Sequence, residues 1–179
     1  MELRQFWEIV DAAMEESEGS QDRRYRRLVE RLSQFPADEI ISFDSIEGEL
    51  LEEAYRWDLW AAAHIISGGC SDDSFQDFRR WLISRGKDAF YAAMADPESL
   101  LKWQEGEDDI YFEAFGWIPG VAYKIQTGRE LYGDVERASR ISLTRNISRS
   151  GPKGVKWQGD EDLRKRFPKL SARFWGNER

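Results

Sequence analysis

One cysteine, one histidine and five prolines are spread through 179 residues, and each scarcity removes a class of structure or chemistry. Cys70 alone forms no internal disulfide and supplies no CxxC pair, so a disulfide framework, a zinc knuckle and a dithiol redox centre are excluded. His64 is the sole imidazole, which removes Cys/His metal sites as well; the reading includes no metal and no cofactor. No run approaches the roughly 20 uncharged apolar residues that a bilayer span needs, and the richest segment, Leu59 to Ile66, lasts only a few turns. Met1 leads straight into Glu2, Arg4 and Glu8 rather than into a basic and then apolar leader, so the expected location is the cytoplasm, with no membrane partner. Strict alternation of apolar and polar residues is missing, as is any internal repeat, so no sheet is expected. Phosphate-binding G-x-x-x-x-G-K-[ST], G-x-S-x-G and H-E-x-x-H are absent too.

What is present suits a folded domain. Hydrophobic residues make up 41% and charged residues 34%, too apolar for wholesale disorder. The length allows one substantial core and is short for two. The net charge of −8 is unevenly placed: residues 1–136 hold 14 Lys+Arg against 30 Asp+Glu, a net of −16, and residues 137–179 hold 12 against 4, a net of +8. Arg137, Arg140, Arg145, Arg149, Lys153 and Lys156 fall in one stretch with no acid between them. Such a stretch either lies against the acidic body of the same chain or attracts an anion. Nucleic acid is the weaker partner for it, because the field of the body opposes a polyanion.

Helical periodicity runs through most of the chain. Leu3, Phe6, Trp7, Val10, Ala13 and Met14 recur at spacings of three and four, and Tyr25, Leu28, Val29, Leu32 and Phe35 repeat the pattern beyond a Gly19-Ser20 turn, which predicts a helical hairpin. A third helix is expected from about Ala37 to Tyr55, with Gly48 weakening its middle. Trp57 to Ile66 is apolar on almost every face and is therefore placed at the centre of the fold, with Leu59, Ala62, Ala63 and Ile66 inward. Gly68-Gly69 ends it. Ser71, Asp72 and Asp73 then open a helix carrying Phe75, Phe78, Trp81 and Leu82, Ala89 to Met94 forms a short one, and Asp96-Pro97 begins another. Ile110 to Ile125 returns to helical spacing with Pro119 expected to kink or split it. Beyond Asp134 the chain turns basic and Ser/Gly-rich until a last helix, Asp160 to Phe167, with Leu170, Phe174 and Trp175 docking on the body. The fold class is thus all-α: one compact multi-helix domain over residues 1–134, then a basic loop and docking C-terminal helix over 135–179. The expected C-terminus is anchored behind a mobile loop at 137–156.

The blocks Tyr55-Arg56-Trp57-Asp58-Leu59-Trp60-Ala61-Ala62, Gly68-Gly69-Cys70-Ser71-Asp72-Asp73, Phe78-Arg79, Trp81-Leu82-Ile83 and Ala95-Asp96-Pro97-Glu98-Ser99-Leu100 resemble the bacterial DUF4240 family over roughly residues 4 to 130. Trp157, Asp162-Leu163 and Phe167-Pro168-Lys169-Leu170 look like its usual ending. The resemblance implies a compact helical fold and a bacterial cytoplasm, and it supplies no mechanism, since no function is established for that family. His64 stands where the family usually has tyrosine, and the basic stretch from Arg137 to Lys156 looks peculiar to this chain.

Several constellations have both a chemical and a structural reading. Cys70 ahead of a helix start, with His64 as its base, would make a nucleophile; against this, Asp72 and Asp73 raise the thiol's pKa, and a cysteine beside a buried helix is usually core. Glu49, Glu52 and Glu53 form either a metal-binding face or a solvated one. Arg56 and Asp58 flank Trp57, while Arg79 and Arg80 are expected to face outward near the Asp72-Asp73 cap, giving either internal Arg–Asp pairing or a polar pocket for an anion. Among eight tryptophans, Trp7, Trp57, Trp60 and Trp81 fit core positions, and Trp103, Trp117 and Trp175 sit near loops where they can anchor a partner. The candidate binding residues are Arg56, Trp57, Asp58, Trp60, His64, Asp72, Asp73 and Arg79. Missing catalytic motifs, polarised charge and surplus aromatics favour a non-enzymatic protein-binding or regulatory module. The other reading is a small hydrolase or transferase with a pocket around Arg56, Asp58, His64 and Asp72.

Overall fold

The computed structural model describes residues 1–103, 109–131 and 151–176. Among them the regular structure is ten α-helices and two 3-10 turns, without a strand beyond one parallel bridge between Arg56 and Lys153. Helices α1 (Leu3–Glu16) and α2 (Gln21–Leu32) form the expected hairpin. Their turn uses positive φ at Glu18 and Gly19, and the Ser20 hydroxyl then accepts the Arg23 N–H to start α2. α1 buries Phe6, Trp7, Ile9, Val10 and Ala13; α2 answers with Leu28 and Leu32 and, on the same face one turn earlier, with Arg24. α3 (Ala37–Glu53) follows Pro36, whose extended backbone sets the helix entry.

α4 (Trp57–Ser67) ends at Gly68, where a φ of 69° provides the left-handed cap that glycine adopts without a Cβ clash. α5 (Asp72–Ser84) is capped by the Ser71 hydroxyl on Ser74 N–H and carries Asp72 and Asp73 in its first turn, where the helix dipole favours negative charge. α6 (Lys87–Ala95) begins after Gly86, and the Asp11 carboxylate of α1 reaches over to accept Lys87 N–H at 2.8 Å. Any Cβ at 86 would meet that carboxylate. A 3-10 turn at Pro97–Ser99, capped by Asp96 on Glu98 N–H, runs into α7 (Leu100–Trp103). α8 (Ile118–Thr127) follows a 3-10 turn at Glu113–Trp117. Pro119 therefore opens a helix instead of splitting one, since a proline in the first turn has no N–H to lose. α9 (Asp160–Arg166) and α10 (Pro168–Phe174) end the described chain, with Leu163, Phe167 and Leu170 buried against the body. The expected mobile loop at 137–156 lies outside the described residues as far as 150.

The core is rich in aromatic rings: Phe6, Phe43, Phe75, Phe78, Trp81, Phe90 and Phe115 are fully buried, with Phe6 and Phe43 ring centroids 4.4 Å apart. α5 packs against α1, α3, α4, α6 and the 113–117 turn, so it holds the central place that the sequence assigns to α4. Leu59, Ala61, Ala62, Ala63 and Ile65 are buried, but Ile66, Trp57, Trp60 and His64 are only half-buried. The reason is placement around the helix. Trp57, Trp60 and His64 recur at spacings of three and four, so they share one flank of α4, where the 151–157 segment covers them in part.

Candidate functional site

The half-covered flank of α4 gathers most of the residues singled out by sequence. The irregular segment at 151–157 is held to the start of α4 by Trp57 N–H donating to Lys153 O and Lys153 N–H donating to Tyr55 O, both at 2.9 Å. This brings Trp157 against Trp57, with centroids 5.7 Å apart, and against His64 at 5.4 Å. Trp175, just past α10, meets the other side of His64 at 6.4 Å. Trp57 stacks on Trp60 and Trp60 on Phe75, at 5.1 and 4.8 Å with interplanar angles of 13°. Lys156 Nζ sits 4.9 Å above the Trp57 ring and the Arg164 guanidinium 5.4 Å above Trp175. Trp57 and Trp60 are thus half-buried members of an aromatic row, Trp60 packed against the core and Trp57 beyond it, and neither is fully buried as Trp81 is.

The charged candidates are engaged locally. Arg56 and Asp58 form a two-point pair, Nη2 to Oδ2 at 2.5 Å and Nε to Oδ1 at 3.0 Å, and Asp58 Oδ1 also accepts Leu59 N–H at 2.8 Å. Asp72 accepts the Tyr55 hydroxyl at 3.3 Å, and Asp73 is exposed in the first turn of α5. Among the described residues His64 makes ring contacts only, so no hydrogen bond joins it to Arg56, Asp58 or Asp72. Two open hollows lie elsewhere, on the α1–α2 face, one lined by Ile9, Arg31 and Phe35 and the other by Glu16, Arg27 and Glu30.

Arg79 and Arg80 do not face outward. Arg79 is 9% exposed; long side chains on a helix point back toward its N-terminus, which carries this guanidinium over Phe75 and Tyr55, 4.9 and 4.6 Å from their rings. There it donates to Leu51 O at 2.6 Å and Phe75 O at 3.3 Å. Leu51 is in the last turn of α3, whose free carbonyls and negative dipole end attract a cation. Burial lowers the Arg79 pKa from its ordinary value. Arg80 lies between Glu47 at 3.3 Å and Asp77 at 3.4 Å, flat against Gly116, where a Cβ would be 2.5 Å from the guanidinium carbon.

At the far end of α4, the Trp60 indole donates to Cys70 O at 2.9 Å. The Tyr111 hydroxyl donates to Ser67 Oγ at 2.6 Å, and Ser67 lies within bonding distance of Ala63 O and Gly69 O. Cys70 Sγ contacts Ser71 O at 3.6 Å and no group of His64. Burial pushes the thiol up to about 11, so at neutral pH it is protonated and weakly nucleophilic. Tyr55 and Tyr111 are also raised, each chiefly by burial. Among the described residues no group of three His, Cys, Asp or Glu side chains converges on a common point, and no helix is long and apolar enough to cross a membrane.

The glycine-cysteine turn, the tryptophan row of α4 and the Asp96-Pro97 cap are therefore parts of one structural unit. The family described as "Protein of unknown function (DUF4240)" matches residues 1–125, well over half the chain. The chain belongs to the DUF4240 family. Comparison with curated proteins and with solved structures finds no match. The matched DUF4240 region ends within α8, so Lys156, Trp157, Arg164 and Trp175, which complete the aromatic flank, come from beyond it. Sequence reasoning missed Tyr55, Tyr111, Lys153, Lys156 and Trp157 as neighbours of α4; they are brought there by contacts across up to a hundred residues, which local periodicity does not encode.

Proposed function

We propose that this DUF4240 protein is a non-enzymatic protein-binding or regulatory module of the bacterial cytoplasm. The observation that carries the reading is the flank of α4, where Trp57, Trp157 and Trp175 remain half-exposed in a row while Arg56, Asp58 and Asp72 beside them are bonded to their own neighbours. Half-exposed tryptophans with one apolar face and a polar handle are the residues that most often anchor protein contacts. A hydrolase or transferase pocket requires Arg56, Asp58, His64 and Asp72 to converge on a shared space. Here Arg56 binds Asp58, Asp72 accepts from Tyr55 and His64 lies between two tryptophans. Affinity purification of the tagged chain from its native host tests the proposal. A reproducible partner, lost on Trp157→Ala, is the expected result; no partner, together with turnover in a broad hydrolase screen, overturns it.

A further inference from the structure

We propose that the flank formed by α4 and residues 151–176 receives an acidic segment of a partner protein, with Lys153 and Lys156 as its cationic anchors and Val155, Trp157 and Trp175 as its apolar contacts. This rests on the protein-contact reading above and specifies the chemistry of the partner.

The first argument is charge. Residues 151–176 hold seven Lys+Arg against three Asp+Glu, a net of +4, on a chain whose residues 1–136 sum to −16. Two of those three acids are spent locally, Glu161 on Lys165 and Asp162 on Arg166, each at 2.8 Å. Lys153 and Lys156 have no carboxylate within ion-pair distance among the described residues. The Lys153 ammonium lies 3.4 Å from Glu52 O, and that of Lys156 stands over Trp57. A carboxylate from outside is the complement this surface lacks.

The second argument is backbone geometry. The segment from Lys153 to Trp157 is irregular, with a bend at Gly154 where φ is 90°, and Val155 is 71% exposed. Its hydrogen bonds to Tyr55 and Trp57 use Lys153 alone, and Val155 O accepts from Arg166 at 3.0 Å. The N–H and C=O groups of Gly154 and Lys156 enter no hydrogen bond among the described residues, so the backbone of a partner segment can bond to them beside Val155 and the lysines. Nucleic acid fits less well. Bases bind such surfaces by stacking on open aromatic faces, whereas Trp57 already carries Trp60 and Lys156, and Trp175 carries Arg164.

The test uses the purified full chain and two probes at one fixed ionic strength: a fluorescein-labelled peptide of alternating Glu and Leu, and labelled oligothymidylate. The expected result is saturable binding of the Glu/Leu peptide that weakens at least about tenfold, or 1.4 kcal/mol, in Lys153→Glu/Lys156→Glu, with the variant still melting cooperatively and only a few degrees lower, because Lys153 holds the segment through its backbone. No peptide binding, equal binding by the charge-reversed variant, or binding of oligothymidylate in place of the peptide each overturns the assignment. A host partner that still binds the charge-reversed variant would leave the protein-contact reading standing and remove this surface from it.

Discussion

The two sides of α5 use the same residue types in opposite ways. Toward α1, α3 and the 113–117 turn, aromatic rings are sealed and cations are fixed. Trp81 and Arg24 have no exposure; Arg24 Nη1 donates to Ser84 Oγ at 2.9 Å, and Ser84 in turn donates to Trp81 O at 2.7 Å. Arg80 is held between two carboxylates against a glycine that leaves it room. Toward α4 the rings are half-open, and the cations lie over their faces with water on the other side. A cation in the interior is tolerated only with fixed acceptors, so it becomes part of the fold. One resting on a half-exposed ring keeps much of its hydration and is free to exchange its contact for another. Arg79 belongs to the first kind although it borders the second.

The hardest test of this contrast is Ala62→Asp on the sealed face of α4, where the side chain has no exposure. An unpaired buried carboxylate costs several kcal/mol against a total stability of roughly 5 to 15, so circular dichroism should show loss of the cooperative transition. A soluble variant with a wild-type melt would mean that this face is open. Next comes Arg80→Ala. Removing one member of a buried pair typically costs about 3 to 5 kcal/mol, and Glu47 is only 4% exposed. Chemical denaturation should show a loss of that order, and a loss under about 1 kcal/mol would place Arg80 with the exchangeable cations.

Asp11 gives a smaller effect with a defined sign. Its carboxylate caps α6 by accepting Lys87 N–H, and Asp11→Ala should cost about 0.5 to 2 kcal/mol, as losses of such caps do. Burial raises its pKa above the ordinary 3.8, so the folded chain holds this proton more tightly than the unfolded one. That contribution to stability is fully present below pH 3.8 and is lost as pH rises through the higher folded value. Asp11→Asn keeps an acceptor for Lys87 and does not titrate. Melts across the acid range should therefore show the Asn variant gaining on wild type as pH rises from below 3.8 through the raised folded value. A shift in the opposite direction would show that the hydrogen bond from Lys87 outweighs burial.

Helices α1 to α6, the Ser71 and Asp96 caps and the Gly68 stop were legible because each rests on local signals: spacing, capping residues and positive φ. The failures share a cause. Pro119 reads identically as a kink or as a first-turn proline until the turn before it is known. Arg79 and Arg80 read as outward on charge alone, since the carbonyls of α3, Glu47 and Gly116 that accommodate them lie 28 or more residues away. α4 read as central because its composition is apolar all round, which does not reveal that Trp57, Trp60 and His64 share a flank left half-buried. The candidate residues Arg56, Trp57, Asp58, Trp60 and His64 do share a neighbourhood, but its composition was invisible without Trp157 and Trp175, which arrive from the far end of the chain.

The mildest expected change is Lys156→Gln, and it bears most directly on the open side. Lys156 is exposed and its ammonium stands 4.9 Å over Trp57, a geometry worth about 0.5 to 1 kcal/mol where water still reaches the cation. Gln keeps much of the side chain's bulk and removes only the charge, so the loss should stay within that range. A double-mutant cycle with Trp57→Leu isolates the pair: the coupling should be about 0.5 to 1 kcal/mol, and the single variants should otherwise melt cooperatively. A coupling near zero would mean that the ammonium only hovers over the ring, leaving Lys156 freer still for a partner's carboxylate. A loss of about 3 kcal/mol or more, the size expected when a buried pair is broken, would mean that Lys156 is as structural as Arg80 and that the two sides of α5 do not differ in the way their exposures indicate.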